Sequence, residues 1–187
     1  MVKKRACIFI SGKGSNLKSI IENSRDYNFP VNINLIISNN KNAKGIIFAK
    51  RFGIPYKIIV KNKLEFEKIA IKELNEKKID LLCLAGFMRI LTKNFLRKFS
   101  GKIINIHPSL LPKYKGLNTF ERVLEKKETE TGCTVHWVNE KLDSGTIIIK
   151  KRVKINNDEN IKKLISRVQH EEHKAYSMAI RKIYNLS

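Results

Sequence analysis

The chain is predicted to fold as a doubly wound, mostly parallel α/β sheet of about seven strands with helices on both faces. Three observations predict it. Short β-branched runs alternate with stretches of helical periodicity along the whole chain. The first five runs are almost continuously apolar, as parallel strands covered on both faces should be. The last two are joined by a short turn through Asp143, Ser144 and Gly145, which suits an antiparallel hairpin closing the sheet.

Residues 6–10 are the first expected strand. They run into Ser11-Gly12-Lys13-Gly14-Ser15-Asn16, after which Leu17, Ile20 and Ile21 mark the buried face of a helix. Such a turn leaves backbone N–H groups and a positive helix end at the carboxyl edge of the sheet, which suits a phosphate. The loop lacks the Gly-Lys-Ser or Gly-Lys-Thr of a P-loop, and Leu17 stands where a dinucleotide fingerprint has its third glycine. A tight turn that needs glycine's positive φ is the other reading of the same residues. Strands at 33–37 and 56–60 follow, the first ending in Ser38-Asn39-Asn40 without the acid that would hold a ribose. Phe66, Ile69, Ala70 and Leu74 then recur at helical spacing.

A strand at 81–84 continues apolar through Ala85-Gly86-Phe87-Met88-Arg89-Ile90-Leu91, broken by one arginine. This stretch either lines a slot for a flat aromatic ligand, with Met88 and Leu91 on its faces, or is ordinary core. The strand at 103–106 leads into Asn105-Ile106-His107-Pro108-Ser109-Leu110-Leu111-Pro112. The two prolines stiffen the segment, so an amide and an imidazole are held where a buried strand runs out, the place where an α/β enzyme keeps its chemistry. A fixed imidazole there serves as a general acid or base, or merely satisfies a neighbouring carbonyl.

Strands at 133–138 and 146–155 flank the turn that carries Asp143. Its carboxylate either bonds its own backbone or faces His107, where it would orient the imidazole and favour its charged form. His136 either supports the site or fills the core. From Asn157 or Asp158, a long amphipathic helix is marked by Ile161, Leu164, Ile165, Val168, Ala175, Met178 and Ala179. His170 and His173 lie on it without an evident third metal ligand.

With no repeat, low-complexity linker or composition break, one domain over 1–187 is expected. The balance of 38 Lys and Arg against 17 Asp and Glu gives a formal charge of +21. The lysines are scattered rather than blocked and accompany abundant Ile and Asn, so a coding bias plus a general attraction for anionic substrates explains them without a nucleic-acid partner. Cys7, Cys83 and Cys133 are far apart, with neither redox nor metal spacing, and read as small buried hydrophobes in a reducing compartment. No apolar run approaches the roughly 20 residues that span a bilayer, and the amino-terminal run is too short for a signal peptide, so a cytoplasmic location is expected.

Five segments together carry a resemblance: Gly12-Lys13-Gly14-Ser15-Asn16-Leu17, the 85–91 stretch, the 105–112 stretch, Leu142-Asp143-Ser144-Gly145, and Arg167-Val168-Gln169-His170-Glu171-Glu172-His173. In order and approximate spacing the chain resembles the phosphoribosylglycinamide formyltransferase family, the folate-dependent enzymes of purine synthesis, over nearly its full length. The resemblance implies the formyltransferase fold and transfer of the formyl group of 10-formyltetrahydrofolate to the amine of glycinamide ribonucleotide, without a metal. It implies that Asn105, His107 and Asp143 are catalytic. By the same resemblance Gly14, Ser15 and Asn16 hold the substrate phosphate, and Gln169 and Glu172 contact the ribonucleotide. Met88, Arg89, Ile90 and Leu91 would hold the pterin, and Lys63 falls where the family has another basic folate contact. Small-molecule substrates and a monomer or homodimer are expected.

Two positions depart from the family pattern: Lys115 replaces a proline and Asn118 a histidine, which bears on the stiffness of the 113–119 loop. Methionyl-tRNA formyltransferases share the Asn-x-His core but carry a further RNA-binding domain, and formyltetrahydrofolate deformylases generally carry a regulatory one. Neither is expected here.

Overall fold

The computed structural model describes residues 2–157 and 159–185. Its elements in chain order are β1 (Lys4–Ile10), α1 (Ser15–Ser24), β2 (Val31–Ser38), α2 (Ile46–Arg51), β3 (Tyr56–Ile58), α3 (Lys63–Glu76), β4 (Leu81–Leu84), α4 (Lys93–Lys98), β5 (Lys102–His107), α5 (Thr119–Glu125), β6 (Glu130–Trp137), β7 (Ile147–Lys154) and α6 (Ile161–Ile183). The strands form one sheet in the order β3-β2-β1-β4-β5-β6-β7. β1 to β5 pair in parallel, while β6 runs antiparallel to both β5 and β7.

Alternation along each central strand sends side chains to both faces, and both faces are covered. Ile8, Ile10, Leu81 and Cys83 pack with Leu17 and Ile20 of α1 and Val168 and Tyr176 of α6. Cys7, Phe9, Leu82 and Leu84 pack with Phe66 and Ala70 of α3 and Phe95 of α4. All three cysteines are buried and free, and burial pushes the Cys83 and Cys133 thiols up to about 12.

Three sequence expectations are corrected. The run at 56–60 forms only a three-residue edge strand whose residues are all exposed, because β3 has one neighbour and no strand beyond it to bury its outer side. The last helix starts at Ile161 with Asn160 as its cap, the side chain accepting from Lys162 N, so Asn157 does not cap it; Asp158 lies outside the described residues. On that helix Met178 is 45% exposed and Tyr176 is fully buried. Leu164, Val168, Ala175, Tyr176, Ala179 and Ile180 make the inward stripe, and Met178 falls off it because each step turns the helix by about 100°.

Strand order reverses direction around β1 and β4: β2 and β3 lie to one side, β5 to the other. A crevice outside the carboxyl ends of these strands is where such sheets bind ligands. The loops after β1 and β4 are tied together there. Ser11 N donates to Gly86 O at 3.1 Å, and Met88 N donates to Ser11 Oγ at 2.8 Å.

A candidate active site at the carboxyl edge of the sheet

Asn105 and His107 are two apart on β5 and therefore share a face. The antiparallel register sets His136 of β6 opposite Asn105 and Thr134 opposite His107. Asn105 Nδ2 lies 3.2 Å from His136 Nε2. His107 Nε2 lies 2.7 Å from Tyr114 O, and its Nδ1 lies 3.3 Å from Asp143 Oδ2. A carbonyl only accepts, so Nε2 carries a proton. The carboxylate of Asp143 faces the other nitrogen, so both ring nitrogens are held by oxygen acceptors. His107 thus does satisfy a neighbouring carbonyl, and that bond fixes which ring edge is left for chemistry.

Asp143 is held from several sides. It is buried, and Gly116 N donates to its Oδ2 at 2.9 Å. Its Oδ1 lies 3.8 Å from His136 Nε2. Its φ of 45° is in the left-handed region, which aspartate tolerates better than most residues. Two residues on, a Cβ at Gly145 would sit 1.7 Å from Trp137 O, so only glycine lets the turn pass close enough to β6 to deliver Asp143 to the two histidines.

The segment between the two prolines is pinned by polar contacts that composition alone did not reveal. Thr134 Oγ1 donates to Ser109 O at 2.7 Å and accepts from Leu111 N at 3.1 Å. Ser109 Oγ donates to Lys113 O at 2.6 Å. At the departing positions, Lys115 Nζ donates to Ser144 Oγ at 2.6 Å, and Asn118, with φ 54°, precedes α5. The loop that lacks the family's proline is thereby clipped to the Asp143 turn.

Gly14 begins α1 with φ 76°, and a Cβ there would meet Gly45 Cα at 2.7 Å. No side chain caps this helix start, which leaves first-turn N–H groups of the Ser15 and Asn16 segment without a side-chain partner. Across the sheet's end, Asn16 Nδ2 donates to Glu172 Oε2 at 2.8 Å, and both side chains are buried. Burial raises the Glu172 carboxyl to about 7, against the lowering effect of that hydrogen bond. Asn16 Oδ1 is buried without a partner among the described residues. Gln169, one turn earlier on α6, is half-buried.

In the loop after β4, Met88 and Ile90 are 74% and 55% exposed, whereas Leu91 is buried in the core. Arg89 Nη1 donates to Lys61 O at 2.9 Å, with its guanidinium 5.5 Å from the Phe66 ring centre. Lys63, the first residue of α3, is exposed. The buried Glu67 carboxylate accepts from Thr92 N at 2.7 Å and from the Thr92 hydroxyl, anchoring the end of the 85–91 segment. Sequence reasoning missed Tyr114, Gly116, Thr134 and Glu67. Of these only Thr134 had a signal, its place on the alternating strand beside His136.

Among the described residues no group of three His, Cys, Asp or Glu is placed to hold a metal, and no helix is long and apolar enough to cross a membrane.

A formyl transferase family model matches residues 4–180. The phosphoribosylglycinamide formyltransferase of Haemophilus influenzae is 40% identical over 182 residues, covering 95% of this chain and 86% of that one. The human trifunctional purine biosynthetic protein adenosine-3 is 43% identical over 183 residues, which is 96% of this chain but 18% of that protein. The crystal structure of phosphoribosylglycinamide formyltransferase from Anaplasma phagocytophilum superposes with a TM-score of 0.92 at 39% identity, covering 98% of this chain and 88% of that one. With the matched region running from β1 into α6, the chain belongs to the formyl transferase family.

Proposed function

We propose that this chain is a phosphoribosylglycinamide formyltransferase, which transfers the formyl group of 10-formyltetrahydrofolate to the amine of glycinamide ribonucleotide in purine biosynthesis. The observation that supports this reading is that Asn105, His107 and Asp143 gather around His136 at the end of β5, on the carboxyl edge of the sheet to which the loops after β1 and β4 also belong. The loop after β1 brings the uncapped, glycine-initiated helix with its Asn16–Glu172 pair; the loop after β4 brings the exposed apolar side chains of Met88 and Ile90. The first suits a phosphorylated acceptor and the second a flat pterin, with Leu91 supporting it from beneath and Arg89 and Lys63 supplying positive charge.

The folate co-substrate supplies a formyl carbon that the ribonucleotide amine attacks directly, through a tetrahedral intermediate with no covalent adduct to the enzyme. Asn105 has two amide N–H groups. His136 takes one, so the other is the donor for the developing oxyanion. His107 is anchored through Nε2 on the Tyr114 carbonyl and faces Asp143 through Nδ1, so passing a proton to the departing nitrogen requires its Nδ1–H to turn from the carboxylate to the substrate. Asp143 faces the Nδ1 edge and orients the ring. Gly14, Ser15 and Asn16 bind the phosphate; Gln169 and Glu172 hold the ribonucleotide.

One catalytic domain carries these roles, in the cytoplasm, as a monomer or homodimer that acts on small molecules rather than nucleic acid. The scattered lysines and the phosphate-sized helix end support this reading. The test is release of folate from a 10-formylfolate analogue, followed by absorbance with glycinamide ribonucleotide, with methionyl-tRNA, and with no acceptor. Turnover only with the ribonucleotide is expected. Turnover with tRNA, or without an acceptor, overturns the assignment.

A further inference from the structure

We propose that His136 is a positioning residue that fixes the Asn105 amide in its donating orientation by accepting one of its N–H groups, an inference that rests on the formyl-transfer reading of the same site. The two residues face each other across the β5–β6 ladder, so their side chains rise from the same face of the sheet. The ring's tautomer follows from its other nitrogen. His136 Nδ1 lies 2.8 Å from the carbonyl of Trp137, which can only accept, so Nδ1 carries the proton. In the neutral ring Nε2 then presents a lone pair. Asn105 can meet that lone pair with an N–H but not with Oδ1, whose own lone pairs would face it. The amide therefore has one favoured orientation, and its second N–H is left for the reacting oxygen.

The ring is itself over-determined. His136 is 2% exposed, and the Trp137 carbonyl that holds it is approached so closely by Gly145 that no side chain fits there. Burial lowers the pKa of the imidazole below its ordinary value, and the positive charges of His107 and Lys115 act in the same direction. The Trp137 carbonyl and the Asp143 carboxylate oppose them. A protonated His136 would have no lone pair for Asn105. Its Nε2–H would instead turn toward Asp143 Oδ1, 3.8 Å away, and compete for the carboxylate that faces His107. Neutrality of this one ring thus keeps two catalytic side chains in place.

Two measurements test this. The first is the nitrogen NMR spectrum of the full, uniformly labelled chain without substrates. At neutral pH His136 is expected as the neutral Nδ1–H tautomer, coupled through Nε2 to an Asn105 side-chain amide proton. The Nε2–H tautomer, or a charged ring, overturns the proposal. The second compares two variants in the formyl-transfer assay. His136→Leu removes the acceptor, and kcat is expected to fall by up to about a hundredfold, the scale on which displacing a group by about 1 Å acts, with both KM values nearly unchanged. His136→Gln restores an acceptor near the Nε2 position and is expected to recover most of that loss. Unchanged kcat in the leucine variant overturns the proposal, as does a folded glutamine variant no better than leucine. Because the spectrum needs no substrate, absence of formyl transfer in the wild type would reject the proposed function while the spectrum still judges the His136–Asn105 bond.

Discussion

Asn105 carries the sharpest prediction, since it combines a fixed backbone position on β5 with one amide N–H that His136 does not take. Asn105→Ala is expected to lower kcat by about 10² to 10³, or roughly 2.7–4 kcal/mol in barrier, as removal of an oxyanion donor does elsewhere. Single-turnover kinetics read the chemical step directly, and an undiminished rate would remove Asn105 from that role. Glu172 makes a prediction about pH. Its carboxyl is raised to about 7 by burial, so the native state holds the proton more tightly than the unfolded chain, where glutamate titrates near 4.3. Its contribution to stability therefore falls as pH rises from about 4.3 to 7 and is level above that window. Glu172→Gln keeps an acceptor for Asn16 Nδ2 and removes this slope. Relative to wild type it is expected to gain on the order of a few kcal/mol between about pH 4 and pH 8. Urea denaturation at the two pH values reads the change, and an equal difference at both would show that the carboxyl is not buried neutral.

At the scale of elements, α6 owes its start to Asn160, whose side chain accepts from Lys162 N at 2.8 Å. Asn160→Ala is expected to cost about 1 kcal/mol in thermal or denaturant unfolding, with kcat little changed because the cap lies more than two turns before Gln169. A loss well below 0.5 kcal/mol would mean that packing alone sets the helix start. The seven strands were legible from β-branched runs because a buried strand leaves a strong, short signature. Helices α2, α4 and α5 were not, because six or seven residues make fewer than two turns and carry too little periodicity to see. The start of α6 was displaced by two or three residues for a related reason: Asn157, Asp158 and Asn160 have equal claims as caps, and only the packing of Leu164 and Val168 decides among them.

For the molecule as a whole, 38 basic residues against 17 acidic ones give a net positive charge, which favours the approach of anionic molecules. The value of kcat/KM for the ribonucleotide is expected to fall as ionic strength rises from about 0.01 to 0.15 M, where the screening length shrinks from roughly 30 to 8 Å. Insensitivity over that range would leave the charge without a part in substrate capture. By itself the sequence determined the fold class, because burial on two faces and the alternation of strand and helix periods are written residue by residue in local patterns. It also marked the loops at the carboxyl edge of the sheet, since the glycines and prolines that bound them act on their own backbone. Tertiary structure alone decided the pairings: Asn105 with His136, His107 with the Tyr114 carbonyl, and Asn16 with Glu172 across 156 residues of chain. Those depend on strand register and on how α1 and α6 pack against one sheet face, which are set by burial summed over the entire core rather than by any single segment.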